Sequence, residues 1–146
     1  MRTQRGDLVT DLILDVFKLS GLLVSEGDQL TAELGLTSAR WKVLGAVALA
    51  EKPLTVSQIA RTMGQSRQSV QRIANRLIDQ GIFIYQNNPA HKRARLLKLT
   101  KKGQKIFSKL DTIQAPWANM SGQRFKVAEL KTALNVLREL IEYYEN

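Results

Sequence analysis

The chain has 146 residues, 44% hydrophobic and 24% charged, and its formal net charge of +9 favours a polyanionic partner without identifying one. It contains no cysteine and a single histidine, which excludes disulfide scaffolds, cysteine-ligated zinc, thiolate chemistry and multi-histidine metal sites within one chain. No apolar run approaches the roughly 18 residues that span a bilayer, and acids interrupt the N-terminal region, so we expect a cytoplasmic protein with no membrane partner and a single domain, residues 1–146.

The first predicted helix covers residues 7–25, where apolar side chains such as Leu8, Leu12 and Val16 recur at helical spacing. The segment Glu26-Gly27-Asp28 is expected to end it. A second helix is expected to begin at a cap on Thr37 or Ser38 and to be stopped before Pro53, because a residue that precedes proline is pushed out of the α region.

Two shorter helices follow, joined by a glycine turn. The capping-box pattern T-x-x-Q from Thr55 to Gln58 predicts a helix that ends near Met63. Gly64 supplies the turn, and the next helix is predicted for residues 66–80, with apolar residues on one face and polar residues on the other.

A β-hairpin and two further helices complete the predicted elements. Residues 82–85 and 95–99 read as paired strands around a turn-rich loop with a basic tip. Thr100 is expected to cap a basic helix that runs to about residue 114, with a break or kink at Pro116. The last helix is predicted for residues 123–146.

The positive charge is concentrated in one third of the chain. Residues 61–109 hold twelve basic residues and one acid, which gives +11, whereas the rest of the chain carries −2. Such asymmetry is typical of a nucleic-acid footprint. A solvated basic face without a specific role is the alternative.

Two helices joined by a short turn and followed by a hairpin with a basic tip are typical of a winged helix-turn-helix. We therefore predict a mainly α fold with a small β-hairpin wing, in which residues 37–100 form the DNA-binding lobe. The polar face of the second motif helix and the hairpin tip would contact base edges and phosphates of double-stranded DNA. The candidate DNA-binding residues are Ser66, Arg67, Gln68, Ser69, Gln71, Arg72, Asn75, Arg76, His91, Lys92 and Arg93.

Two other classes of protein compete with this interpretation. The same basic surface suits an RNA-binding or ribosome-associated module, but aromatic residues for stacking unpaired bases are not evident, since Phe83 and Tyr85 read as strand packing. An enzyme is disfavoured, because no phosphate loop, nucleophile motif or metal-ligand cluster is present. We expect no enzyme, no metal and no cofactor.

The order of elements and several short motifs resemble the MarR family of bacterial transcriptional regulators. The wing region approximately follows the family pattern D-P-x-D-x-R-A-x-x-V-x-L-T, but Asn88 and His91 stand where that pattern usually has acids. The acid that would hold the arginine at Arg93, which the family pattern implies, is therefore not expected at these two positions. The other matching segments are Leu36-Thr37, Trp41, Val43-Leu44, Thr55-Val56-Ser57-Gln58-Ile59-Ala60, Gln68-Ser69-Val70-Gln71-Arg72-Ile73 and Arg76-Leu77.

The resemblance implies a homodimer, expected to act as a repressor, that binds a pseudo-palindromic operator and that a small-molecule effector often releases. Residues 7–25 and 123–146 would be the dimerisation helices, or would simply pack on their own domain. Trp41 would lie near an effector crevice, or in the core. The dimerisation stripe at heptad spacing is Val127, Leu130, Leu134, Leu137, Ile141 and Tyr144.

Overall fold

The computed structural model describes residues 1–146 and shows a mainly helical chain with one small sheet. The elements are α1 (Gln4–Thr31), a 3-10 turn (Ala32–Leu34), α2 (Ser38–Ala48), β1 (Leu54–Thr55), α3 (Val56–Met63), α4 (Arg67–Asp79), β2 (Phe83–Gln86), β3 (Leu96–Leu99), α5 (Lys101–Gly122) and α6 (Val127–Glu145). The chain divides into two compact units, Met1–Leu110 and Asp111–Asn146. No helix combines the length and apolar character that crossing a bilayer requires.

The hydrophobic core lies in the first unit, where α2, α3 and α4 pack with the sheet. It buries aliphatic side chains from each of these helices, together with Phe83 of β2 and Leu97 of β3. Leu110 of α5 joins the same core. Because these side chains leave almost no exposed surface, the helices that carry the predicted site are held by packing rather than by ion pairs.

The sheet has three antiparallel strands in the order β1-β3-β2. The predicted hairpin is confirmed, with Tyr85 opposite Leu97 and Phe83 opposite Leu99. The sequence did not predict β1, in which Leu54 pairs with Leu97. A two-residue strand shows no alternation that a pattern could detect, and only its pairing with β3 identifies it.

The prediction that the segment Glu26-Gly27-Asp28 ends α1 after residue 25 is wrong, because the helix continues to Thr31. Gly27 is buried, and a Cβ atom placed there would collide with the side chain of Ser38. Ser38 at the start of α2 donates its backbone N–H to the Asp28 carboxylate at 2.7 Å and its hydroxyl to the carbonyl of Val24. The glycine therefore permits close approach of α2 to α1.

Three other predicted boundaries differ from the structure. Helix α2 ends at Ala48, before Pro53, because its buried face ends at Val47. Helix α5 continues through Pro116 to Gly122, since a proline costs one backbone hydrogen bond that a long helix tolerates. Helix α6 begins at Val127, four residues later than predicted. Its start is fixed by the Glu129 carboxylate, which accepts the backbone N–H of Lys126 at 2.9 Å.

Candidate nucleic-acid interface

The first motif helix, α3, is fixed at both ends by local hydrogen bonds. Thr55 accepts the backbone N–H of Gln58 at 3.2 Å, and the Gln58 side chain accepts the N–H of Thr55 at 2.9 Å, so the predicted capping box is confirmed. Gly64 ends the helix with φ 62°, a left-handed conformation that glycine adopts without strain. This turn sets the direction in which α4 leaves.

Helix α4 has one buried face and one polar face, as the sequence predicted. Val70, Ala74 and Leu77 are fully buried and dock the helix on the core. The opposite side is polar. Its exposed members are Arg67, Gln68, Arg72, Asn75 and Arg76, whereas Ser69 and Gln71 are half-buried. A helix held in this way by its apolar side can present the polar side to a major groove.

The N-terminus of α4 is capped by the residue that the sequence indicated. The Ser66 hydroxyl accepts the backbone N–H of Ser69 at 3.1 Å. One of the free amides at this helix end is therefore satisfied within the chain. The remaining amides and the Ser69 side chain stay as the predicted phosphate contacts at this end.

The wing loop between β2 and β3 is closed by hydrogen bonds from the side chains of Asn88 and His91 to backbone groups. The Asn88 amide donates to the carbonyl of Ala94 at 2.8 Å and accepts the N–H of Ala90 at 3.1 Å. His91 Nδ1 accepts the N–H of Ala94 at 3.2 Å. His91, Lys92 and Arg93 are exposed on this loop. The two residues that replace the usual acids thus brace the backbone of the wing.

A groove of about 720 Å³ lies between α4, the start of α3 and the wing. It brings together six of the predicted contact residues, namely Arg67, Gln68, Gln71, Asn75, His91 and Arg93. The other five predicted residues do not line it; these are Ser66, Ser69, Arg72, Arg76 and Lys92. The predicted site is therefore partly one concave surface and partly the flanking surface of α4 and the wing.

The groove also contains polar residues that the sequence interpretation missed, among them Thr55, Ser57, Tyr85 and Arg95. The expected strand packing is confirmed for both aromatic residues, since Phe83 is 2% exposed and the half-buried Tyr85 packs against the core. The Tyr85 hydroxyl also accepts a hydrogen bond from Gln71 Nε2 at 2.9 Å. A signal was present, because a half-buried tyrosine usually finds a polar partner for its hydroxyl.

The arginines of this surface are not neutralised by acids of the chain. The ion pair in the structure joins Arg2 to Asp7 at 4.0 Å and is exposed. Arg67, Arg72 and Arg93 form no such pair. Their charges, within the +11 segment, are free to neutralise phosphates of a nucleic acid.

The two helices expected to form a dimer both expose large apolar side chains. In α1 only Gly27 and Thr31 are buried, and Phe17 is 69% exposed. Helix α6 has no buried residue at all. All six residues of its predicted stripe are exposed, from 36% for Leu137 to 69% for Val127. Apolar surface of this extent is typical of an interface.

Trp41, the predicted effector-site residue, is half-buried in α2. It packs against the hydrophobic core of the first unit. This placement agrees with the core alternative for this tryptophan.

Comparison with known proteins relates the chain to a family of transcription regulators. A family model described as MarR family matches residues 34–94. The uncharacterized protein Rv2011c of Mycobacterium tuberculosis is 36% identical over 136 residues, which are 93% of this chain and 94% of that protein. The transcriptional activatory protein BadR of Rhodopseudomonas palustris is 24% identical over 140 residues, 93% of this chain and 79% of BadR.

Solved structures share the fold over nearly the whole chain. A MarR family transcriptional regulator from Silicibacter pomeroyi superposes with a TM-score of 0.84 at 23% identity, covering 95% of this chain and 93% of that one. CouR from Rhodococcus jostii, solved with p-coumaroyl-CoA bound, superposes with a TM-score of 0.80 at 14% identity. The match covers 92% of this chain and 94% of CouR. The matched family segment contains the α3–turn–α4 unit and all but the last residue of the wing loop. The chain belongs to the MarR family of transcription regulators.

Proposed function

We propose that the protein is a homodimeric repressor that binds a pseudo-palindromic operator in double-stranded DNA. The observation that carries this proposal is the groove between α4 and the wing, where Arg67, Gln68 and Arg93 face the same space. Helix α4 would enter the major groove, and the wing would reach a flanking phosphate or the minor groove. The cationic and amide side chains present there are those that bond phosphates and base edges.

The dimer in this proposal is supported by the exposed apolar faces. Single chains of soluble proteins rarely leave so many large aliphatic side chains in water, and both α1 and α6 do so. A second copy of the chain would cover these faces. Two-fold symmetry would then set two α4 helices about 34 Å apart, one turn of duplex DNA.

Repression is proposed because a dimer that occupies a promoter excludes RNA polymerase without any further contact. BadR, by its name an activatory protein, represents the opposite outcome. Transcription in vitro from a promoter that contains the operator distinguishes repression from activation. A decrease with added protein is expected, and an increase would assign activation.

A small-molecule effector that releases the DNA completes the proposal, and CouR, a structural neighbour solved with p-coumaroyl-CoA bound, supports the presence of a ligand site in this fold. Trp41 is the candidate reporter of binding. Compounds that raise the melting temperature of the free protein should be tested for release of bound duplex. A compound that stabilises the protein but leaves the complex with DNA intact would contradict its role as an effector.

The direct test of the proposal is a competition between duplex DNA and structured RNA at matched salt. Fluorescence anisotropy of a labelled duplex measures the binding. We expect tighter binding to the duplex and a steep decrease in affinity with added salt, because several phosphates are neutralised. Arg124→Ala removes an exposed arginine outside the predicted surface. It is the control for variants such as Arg93→Ala, which remove one positive charge from that surface. A clear preference for RNA would contradict the proposal.

A further inference from the structure

Tyr85 of the wing is joined to helix α4 through the side chain of Gln71. Gln71 Nε2 donates to the Tyr85 hydroxyl at 2.9 Å and to Asn75 Oδ1 at 2.8 Å. An amide nitrogen carries two hydrogens, so these two bonds use both donors of Gln71. The carbonyl oxygen of Gln71 has no hydrogen-bond partner within the chain.

The position of the Tyr85 hydroxyl is set by two contacts of the wing. The guanidinium carbon of Arg95 lies 3.7 Å from the centre of the Tyr85 ring, a cation–π contact. Tyr85 also pairs across the sheet with Leu97, which is fully buried. The ring is thus held between the core of the sheet and an arginine, and its hydroxyl meets α4 at a defined place.

This arrangement decides which hydrogen-bonding groups α4 offers to a base. Gln71 retains only an acceptor, its Oε1, while Asn75 retains the two hydrogens of its Nδ2. Both residues line the groove. In the major groove, the amino groups of adenine and cytosine donate hydrogen bonds, whereas guanine and thymine present acceptors at the corresponding positions.

We propose that Tyr85 is a positioning residue for base readout, which holds Gln71 as a hydrogen-bond acceptor so that this position of α4 selects adenine or cytosine. A glutamine with a free amide nitrogen would instead bond adenine through both amide atoms and prefer it over cytosine. The inference rests on the proposed function, in which α4 enters the major groove of an operator.

The experiment uses the operator selected from random duplexes by the full-length protein. Gln71→Ala first identifies the base pair that Gln71 reads, as the position where its loss abolishes base preference. Four duplexes that differ only at that pair are then titrated. The parent protein should bind the adenine and cytosine versions with similar affinity and the guanine and thymine versions more weakly.

Tyr85→Phe keeps the ring and its contact with Arg95 but removes the hydroxyl. One hydrogen of Gln71 Nε2 is then free for adenine N7, so binding to the adenine version should exceed binding to the cytosine version by at least about fivefold. Tyr143→Phe, which removes an exposed hydroxyl of α6, should leave the ratio unchanged.

The outcomes separate this inference from the proposed function. An unchanged adenine-to-cytosine ratio in Tyr85→Phe would overturn it, as would a parent protein that already prefers adenine alone, or a Gln71→Ala variant that changes no base preference. In each of these cases specific binding to duplex DNA would still support the proposed function. A parent protein that selects no operator from the random duplexes would contradict the proposed function itself.

Discussion

Asn88 and His91 have a structural consequence for the charge of the wing. Both brace the loop through backbone groups, Asn88 with Ala90 and Ala94, and His91 with Ala94. A carboxylate at either place would attract the nearby cations and lower the positive potential of the tip. With no carboxylate at either position, Arg93 forms no ion pair and stays available for a phosphate.

Asn88→Ala tests this brace at the level of one side chain. The variant loses two hydrogen bonds, so we expect faster backbone hydrogen exchange in the wing loop and weaker duplex binding, with little change in melting temperature because the loop lies outside the core. Asn87→Ala, at the exposed neighbouring position, is the matched control. Equal exchange in the two variants would refute the brace.

Arg72→Ala and Arg93→Ala should weaken DNA binding in different ways. Arg72 lies on the exposed face of α4, so its loss should cost about 1–3 kcal/mol of binding free energy and relax base preference. Arg93 lies on the wing, and its loss should weaken binding evenly across sequences and reduce the salt slope by about one. Gel-shift titrations that show parental affinity for both variants would refute the site assignment.

Gly27→Ala should destabilise the protein, because its Cβ would collide with Ser38 where α2 meets α1. We expect a loss of about 1–3 kcal/mol in the free energy of unfolding, as for other overpacked sites. Gly45→Ala in α2 is the control, since its Cβ would meet no atom within 4 Å, and a gain of up to about 1 kcal/mol is expected. Denaturant unfolding at one protein concentration measures both, and equal stability would contradict the packing role of Gly27.

At the scale of elements, periodic and capped segments were predictable and boundaries set by packing were not. Helix α4 combines a capping serine with an apolar face, and both signals are local. The length of α1 depends on a contact between Gly27 and Ser38, eleven positions away in the chain, which a local pattern cannot reveal. Strand β1 likewise exists only through its pairing with β3.

The candidate site was predictable to the extent that residue type and helical face decide it. Gln68, Gln71 and Asn75 follow from the polar face of α4. Tyr85 and Arg95 do not, because their role depends on the distance between a strand and a helix in the folded chain. A local pattern identifies which residues lie on one element, and only the packing of elements shows which groups meet.

At the scale of the whole molecule, charge and apolar surface occupy different parts of the chain. Residues 61–109 carry +11 and contain α4 and the wing, while the remainder carries −2 and contains α1 and α6. One part has the character of a polyanion-binding surface and the other that of protein interfaces. This separation of charge from apolar surface supports the proposal that α4 and the wing contact DNA while α1 and α6 associate with a second copy.

Leu134→Glu tests the association of two copies. A carboxylate in the middle of the α6 stripe would have to be buried in the dimer, so we expect monomers at concentrations where the parent protein is dimeric. Thr132→Glu adds the same charge to α6 outside the stripe and should remain dimeric. Light scattering after size-exclusion chromatography measures the mass, and a dimeric Leu134→Glu variant would contradict the assigned interface.

The central claim is that two copies of this chain read duplex DNA through α4. Selection of bound duplexes from a random pool, with the protein at moderate salt, tests it most directly. We predict recovery of a pseudo-palindrome whose half-sites are centred about 10 base pairs apart, one helical turn. Recovery of unrelated sequences, bound with equal affinity, would contradict sequence-specific binding by a symmetric dimer.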